Sequence, residues 1–268
     1  MKLLNGAELA GFIKERHAKQ VRALMTDKIL PKLAIVQVKD DPVINTYVRL
    51  KRQYGDDIGV EVDVHHVKQP AARELITKLG NDDSVHGIIV QLPLEKPSET
   101  NEIVNLVNPE KDVDALGQKS KFEPATPMAI LWLLSGYNIE LGMGKKILLI
   151  GRGKLVGAPL EKVMKKSGYQ VEVIEREIPD LADKTKEADI IITATGSPAI
   201  LYPEMIKQGA VVVDAGVASE EGKTVGDLAP EVYKRSDLTI TPERGGVGPL
   251  TVCALFENVI RAAQNAKN

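Results

Sequence analysis

Five places in this 268-residue chain carry residues whose types and spacing could do chemistry. Tyr47 and Lys51 stand four apart in a helical pattern, so they share one face about a turn apart. The first offers a flat ring for stacking and the second an amine that can carry a proton. Gln91 is a polar side chain at the C-terminal end of an apolar run, flanked by Val90 and Leu92. Asp112 and Asp114 alternate along an extended stretch, Pro109-Glu-Lys-Asp-Val-Asp114, and offer carboxylates to hydrogen-bond donors. Gly245, Gly246, Val247 and Gly248 form a glycine-rich turn ahead of the last helical pattern. The fifth place is Gly151-Arg152-Gly153, followed after three residues by Gly157. Glycines at a strand-to-helix turn let backbone N–H groups approach a pyrophosphate at a positive helix terminus. The spacing is one residue longer than the usual dinucleotide fingerprint. Each feature alone is also compatible with surface, strand end or tight turn.

The elements that must position these residues alternate along the chain. Apolar runs at Leu33 to Val38, Gly87 to Leu92, Ile147 to Ile150, Val171 to Ile174, Ile190 to Thr193, Ala210 to Val213 and Leu238 to Ile240 predict strands. Several are continuous Val, Ile and Leu, as in strands covered on both faces by helices. Helical patterns lie between them, which predicts an α/β fold of parallel βαβ units. Val60 to Val67 alternates apolar and polar, as a strand with one wet face does; its His65 and His66 need no catalytic role. Thr126-Pro127 opens a helix, with the proline where its missing N–H does no harm. A domain change is therefore expected near residues 117–127. From Thr251 onward, apolar residues at Val252, Leu255, Phe256, Val259, Ile260 and Ala263 predict an amphipathic helix.

Composition removes whole classes of function. A net charge of −2 and 4% aromatic residues argue against a nucleic-acid binder. Cys253 is the single cysteine, so no intramolecular disulfide is possible, and with no Cys/His cluster no metal site is expected. No apolar run approaches the ~18 residues of a membrane helix, and the N-terminus lacks a signal-peptide core. A cytoplasmic enzyme or binding protein is expected.

A dinucleotide on the glycine turn would place its adenosine ribose near the end of the next strand, where Glu175 and Arg176 lie. Glu175 suits a free 2′-hydroxyl, whereas Arg152 and Arg176 suit a 2′-phosphate, so the residues leave NAD and NADP open. Thr195-Gly196 and Gly216-Val217 follow two further strands and are plausible cofactor contacts, because ligands of open α/β sheets bind at strand C-termini.

Taken in order, the motifs Y-x-x-x-K, V-Q-L-P-L, P-x-K-D-V-D, P-x-T-P, G-R-x-x-x-V-G-x-P, A-T-G-x-P and G-G-V-G-P-x-T-V resemble the bifunctional methylenetetrahydrofolate dehydrogenase/methenyltetrahydrofolate cyclohydrolase (FolD-like) family. The resemblance runs from Tyr47 to Val252. It implies a two-domain α/β fold: a folate-binding catalytic domain over residues 1–117 and 251–268, and a Rossmann-type NAD(P)-binding domain over 118–250. The C-terminal helix would return to the first domain, and the chemistry would lie in the cleft between the two.

The resemblance also implies roles. Tyr47 stacks on the pterin, Lys51 is the catalytic lysine, Gln91 tunes it and Asp114 binds the pterin, with Val90 and Leu92 beside them. Gly245, Gly246, Val247 and Gly248 form a folate-side loop. Gly151, Arg152, Gly153, Arg176 and Val217 contact the cofactor, with Glu175, Thr195 and Gly196 nearby. NADP is the cofactor, with NAD as the alternative, and the enzyme is a homodimer. The activity so implied is oxidation of methylenetetrahydrofolate to methenyltetrahydrofolate, then hydrolysis to 10-formyltetrahydrofolate, in one-carbon metabolism and purine biosynthesis. In a partly apolar cleft beside a cationic substrate the Lys51 pKa is expected to fall, since desolvation and like charge both disfavour the ammonium.

This chain departs from the family pattern at five points, one of them the stretch after Asp114, Ala115-Leu-Gly-Gln-Lys-Ser-Lys121, which is unlike the usual G-F-H continuation. Ala115 replaces the glycine of K-D-V-D-G, and Ala125 the cysteine of P-C-T-P. Gly153 replaces the serine of G-R-S, and Glu243-Arg244 interrupt P-V-P-G-G. Ala115 is tolerable if its position needs no positive φ. Two other readings remain at this point: a related dehydrogenase acting on another small substrate, and a catalytically silent nucleotide-binding subunit.

Overall fold

The computed structural model describes residues 1–142, 144–220 and 223–266. The chain divides into two compact units, one of residues 11–125 with 252–268, the other of residues 1–10 with 126–251. The chain opens with β1 (Lys2–Leu3) and α1 (Gly6–Thr26). The elements of the first unit follow: β2 (Lys32–Gln37), α2 (Pro42–Ile58), β3 (Glu61–His66), α3 (Gln69–Gly80), β4 (Gly87–Gln91) and α4 (Thr100–Val104). Then come α5 (Ala125–Gly136), β5 (Ile147–Ile150), α6 (Gly157–Lys166), β6 (Glu172–Ile174), α7 (Leu181–Glu187), β7 (Ile190–Thr193), β8 (Val211–Asp214), β9 (Ala218–Glu220), β10 (Lys223–Val225) and β11 (Thr239–Ile240). The last element is α8 (Val247–Asn265).

In the first unit, β3, β2 and β4 form a parallel sheet in that order. β2 and β4 are buried almost throughout, as their unbroken apolar runs require, whereas β3 lies at the edge and is only partly covered, which its alternating sequence anticipates. Ala34, Val36, Ile88 and Val90 pack against Ala72, Ile76 and Leu79 of α3 and Ile103 and Val104 of α4. The chain leaves β2 to form β3 on one side and β4 on the other. The strand order therefore reverses at the C-terminal end of β2, the place where open α/β sheets hold ligands.

The second unit holds a six-stranded parallel sheet in the order β1-β11-β8-β7-β5-β6. β5 (ILLI) and β7 (IIIT) are buried at every position. β5 has β6 on one flank and β7 on the other, so the order reverses there too, at the end that opens into Gly151. β1 takes its place by pairing Lys2 with Thr239 and Leu3 with Ile240. Residues 1–10 thus group with this six-stranded sheet, whereas the sequence reading put them in the first domain. The difference arises because a two-residue strand carries no periodicity to read. α8 starts at Val247, four residues ahead of the helical pattern recognised from Thr251. Its residues from Val252 onward group with residues 11–125, where the Asn258 side chain donates to the carbonyls of Val113 and Glu123, both at 2.9 Å.

The glycine turn is held by close backbone approach. Gly151 has φ +96°, and a Cβ on it would lie 2.7 Å from the Ala194 carbonyl oxygen. A Cβ on Gly157 would lie 2.0 Å from the Gly151 oxygen, whereas one on Gly153 would come no closer than 3.9 Å to its surroundings. Gly157→Ala should therefore cost about 1–3 kcal/mol in chemical unfolding, the range for overpacking. Gly153→Ser should stay within about 0.5 kcal/mol of the wild type, as open surface positions do. Equal stabilities for the two variants would contradict this packing.

Candidate functional site

In the first unit the site is assembled by the end of β4, the middle of α2 and the segment after Pro109. α2 begins where its sequence says it should. Asp41 caps it, accepting from the Val43 and Ile44 amides at 2.9 and 3.3 Å, and Pro42 occupies the first turn. Gln37, buried at the end of β2, donates to the Lys39 carbonyl at 2.9 Å and the Asn45 side chain at 2.7 Å, which ties the same helix start to the sheet. Ile44, Val48 and Ile58 bury one face of α2, and Tyr47 and Lys51 stand beside that face, partly covered.

The Lys51 amine donates to Gln91 Oε1 at 2.8 Å. Gln91 Nε2 donates to the Leu92 carbonyl at 3.0 Å, which fixes the amide with its oxygen toward the lysine. The Leu92–Pro93 peptide is cis. Asp114 arrives by a different route. The Ile88 amide donates to the Lys111 carbonyl at 2.7 Å and Ile88 bridges Asp112 in parallel, so the segment from Lys111 runs alongside β4 toward Gln91. Lys51, Gln91 and Asp114 thus come together, with Tyr47 one turn from Lys51 on α2.

The electrostatics follow from burial. Desolvation lowers the Lys51 pKa, partly opposed by the nearby Asp114 charge. Desolvation raises the Asp114 pKa, opposed by Lys51. Both groups are pushed toward their neutral forms. Burial also raises the Tyr47 hydroxyl. The two aspartates of the segment differ in use. Asp112 is buried, accepts from the Gly117 amide at 2.8 Å and is raised to about 6 by desolvation. The Asp114 carboxylate has no hydrogen-bond partner among the described residues and is partly open to solvent, so a ligand can supply one.

Ala115 turns the chain out of this segment with φ +55°, its amide donating to the Asp112 carbonyl at 3.1 Å. The position does need a left-handed backbone, so the condition on which alanine would be cost-free is not met.

In the second unit, the β5 turn is a cradle that a side chain would fill at Gly151 and at Gly157. Val156 precedes α6 as its N-cap and offers the first turn no side-chain acceptor. An uncapped helix start behind a glycine turn suits a phosphate group. Arg152 is exposed and pairs with Glu161 (Nε to Oε2, 2.9 Å); Arg176 pairs with its neighbour Glu177, and Glu175 is exposed. Thr195 and Gly196 follow β7, and Gly196 has φ +63°; a Cβ on it would lie 3.3 Å from the Val217 carbonyl oxygen. Val217, at a strand end, is 54% exposed. Gly245, with φ +82°, accepts from the Ala7 amide at 2.9 Å, and a Cβ on Gly6 would lie 1.8 Å from the Gly246 oxygen. Gly245, Gly246, Val247 and Gly248 therefore lie in this second unit, apart in the chain's division from Tyr47, Lys51, Gln91 and Asp114. Among the described residues, no cluster of His, Cys, Asp and Glu could hold a metal, and no helix is long and apolar enough to cross a membrane.

Sequence reasoning missed the residues that brace these loops. Asp214 and Gln37 end strands, Asp227 lies in the loop after β10 and Asn258 in α8, and nothing in local spacing marks them.

Comparisons with known proteins point to one family along the chain. The tetrahydrofolate dehydrogenase/cyclohydrolase catalytic-domain family matches residues 4–114, and the NAD(P)-binding domain of the same family matches residues 124–267. A bifunctional protein FolD from Nautilia profundicola is 35% identical over 279 aligned positions, covering 99% of this chain and 98% of its own. The crystal structure of the Campylobacter jejuni bifunctional enzyme FolD superposes with a TM-score of 0.92 at 37% identity, covering 99% of both chains. The Trypanosoma brucei methylenetetrahydrofolate dehydrogenase-cyclohydrolase, solved with NADP cofactor and an inhibitor, gives a TM-score of 0.92 at 28% identity, covering 99% of this chain and 98% of its own.

Relief of the backbone strain at residue 115 is directly measurable. A left-handed residue with a Cβ costs about 1–2 kcal/mol, and glycine returns about 0.4–1 kcal/mol of that as unfolded-state entropy. Ala115→Gly should then raise stability by up to about 1 kcal/mol in urea unfolding; a loss of stability would contradict the left-handed turn.

Proposed function

The chain belongs to the tetrahydrofolate dehydrogenase/cyclohydrolase family, and with that as premise we propose that Lys51, Gln91, Asp114 and Tyr47 carry the folate chemistry. The enzyme oxidises 5,10-methylenetetrahydrofolate to 5,10-methenyltetrahydrofolate and hydrolyses that product to 10-formyltetrahydrofolate. The observation that carries the assignment of residues is the 2.8 Å bond from the Lys51 amine to Gln91, beside the unpartnered Asp114 carboxylate.

In this reading the unit of residues 11–125 and 252–268 binds folate. Asp114 accepts hydrogen bonds from the pterin, and Tyr47 stacks on the ring, with Val90 and Leu92 lining the strand end. Holding the pterin fixed is the main protein contribution to oxidation, because orientation alone can be worth several kcal/mol, roughly 7–11 in well-aligned cases. The unit of residues 1–10 and 126–251 binds the dinucleotide, which supplies the hydride acceptor when bound. The turn at Gly151, Arg152 and Gly153 and the start of α6 receive the pyrophosphate; Thr195, Gly196 and Val217 border the rest. Two exposed arginines, Arg152 and Arg176, favour NADP, whose 2′-phosphate they can pair; Glu175 is the residue that suits NAD. Gly245, Gly246, Val247 and Gly248 are assigned as folate contacts on the strength of the family resemblance.

Hydrolysis needs a proton acceptor. Water attacks the cationic methenyl carbon while the neutral Lys51 amine takes one of its protons; the carbon–N5 bond then breaks as the new hydroxyl becomes the formyl carbonyl, its proton passes to N5, 10-formyltetrahydrofolate leaves and Lys51 releases its proton to solvent. Gln91 cannot titrate, so it holds the amine in place in either protonation state. A cationic substrate adds like charge to the desolvation already acting on Lys51, and both favour the neutral form. We also assign the protein to the cytoplasm and to homodimers; family membership supports both.

Mixing the protein with methylenetetrahydrofolate and either NAD or NADP tests the activity. Methenyltetrahydrofolate absorbance should appear, faster with NADP, and its absence with both cofactors would overturn the reading. Lys51→Ala should lower hydrolysis about 100-fold or more, within the range of general-base contributions, while measurable oxidation remains. The sign of the pH effect follows from the lowered amine pKa. The amine works when neutral, so the wild-type hydrolysis rate should rise with pH and level off below the pH at which an ordinary lysine loses its proton. A flat profile, or equal hydrolysis by Lys51→Ala, would remove lysine from the role.

A further inference from the structure

Two carboxylates in the second unit, Asp214 and Asp227, are not used by the mechanism above. Asp227 is fully buried and Asp214 partly buried, and each is wrapped in backbone amides rather than paired with a cation. Asp214 ends β8. Its carboxylate accepts from the Gly216 amide at 2.9 Å, the Asp227 amide at 2.9 Å, the Leu228 amide at 3.3 Å and the Thr193 hydroxyl at 3.2 Å. Asp227 in turn accepts from the Thr195 amide at 2.8 Å and the Ser197 amide at 3.0 Å.

The two groups form a series. Gly216 is tied to Asp214, Asp214 to the backbone of Asp227, and the Asp227 side chain to Thr195 and Ser197. Both fit against glycines that leave no room for a side chain: a Cβ on Gly216 would lie 1.9 Å from Asp227 Oδ1, and one on Gly226 would lie 2.0 Å from Asp214 Oδ2. The series therefore fixes the loop after β7 relative to the loop after β8. Their outer faces carry Gly196 and Val217, both exposed.

Such a pair is an expensive way to stabilise a fold. Burial pushes the Asp214 carboxyl up to about 6, and the neighbouring Asp227 charge adds to it. A buried charge costs free energy that an apolar filling would not, unless every lone pair is satisfied. What carboxylates supply and apolar side chains cannot is several directed acceptors at once, holding amides of separate loops in one geometry.

We propose that Asp214 and Asp227 are positioning residues for the dinucleotide, locking the Thr195–Ser197 and Gly216–Val217 loops into the shape that receives it. This rests on the reading that the second unit binds NAD(P). Neither carboxylate touches the ligand; both act through backbone amides. The consequence is a split between the two activities, because hydrolysis of methenyltetrahydrofolate needs water and the Lys51 site but no dinucleotide.

Asp227→Asn tests this. An amide keeps the size of the carboxylate but can accept at only one end, and its NH2 faces an amide donor at the other. NADP and NAD binding, measured by calorimetry on the full chain, should weaken at least tenfold, and to a similar degree for both, since the 2′-phosphate is not involved. Hydrolysis of methenyltetrahydrofolate, assayed without dinucleotide, should stay within twofold of the wild type. Thr193→Val, which removes one hydroxyl donor from Asp214 and preserves shape, serves as a milder second variant and should weaken dinucleotide binding about threefold. Unchanged dinucleotide affinity in both variants would overturn the proposal. So would a parallel loss of hydrolysis, which marks general destabilisation. A wild-type chain that binds no dinucleotide would instead overturn the reading of the second unit, and the proposal with it.

Discussion

A lysine amine kept mostly out of water is the constraint on which the folate site depends. Charged, that amine would forfeit hydration that a single glutamine oxygen cannot replace; neutral, it is satisfied by the one bond to Gln91. Asp114 stands close enough to oppose the shift but is itself desolvated, so neither group fully stabilises the charge of the other. The outcome is an amine able to take a proton, beside a carboxylate still able to accept hydrogen bonds. Surface lysines, hydrated and mobile, have neither property.

The scaffold makes that arrangement cheap to hold. Each unit is a parallel sheet whose strand order reverses at one strand end, at β2 in one and β5 in the other. At such a reversal the loops diverge and leave strand ends accessible, so polar residues can stand there without breaking the core. Gln91 ends β4, the strand beside β2 at the first reversal, and Gly151 follows β5 at the second. The supporting contacts around them are backbone-directed: Asp41 and Gln37 at the start of α2, Asn258 on the segment carrying Asp114, Asp214 and Asp227 on the loops of the second sheet.

Much of this was legible in the sequence, for identifiable reasons. Strands covered on both faces read as unbroken Ile, Val and Leu, so β5 and β7 match their apolar runs residue for residue, β4 differs by a residue at one end, and β2 and β8 are shifted by one residue. Tyr47 and Lys51 share a face because helical spacing requires it. What stayed hidden depends on contacts between distant residues. β1 is two residues long and is defined only by its pairing with β11. The beginning of α8 was obscured by Gly248 and Pro249, which argue against a helix unless they fall in its first turn. Ala115 gave no sign of its left-handed φ, since only a glycine advertises one. Asp214 and Asp227 look like any acidic residues after a strand or in a loop until their amide partners are seen.

Direct titration of the Lys51 amine, by NMR of selectively labelled lysine in the wild type and in Gln91→Ala, tests the central claim most closely. The account predicts an apparent pKa for Lys51 below the ordinary lysine value of 10.5 in the wild type. It also predicts a mobile, less well-defined amine once the glutamine is removed. A Lys51 pKa at or above 10.5 would mean that the amine is charged when it meets its substrate, and no proton acceptor would remain for hydrolysis.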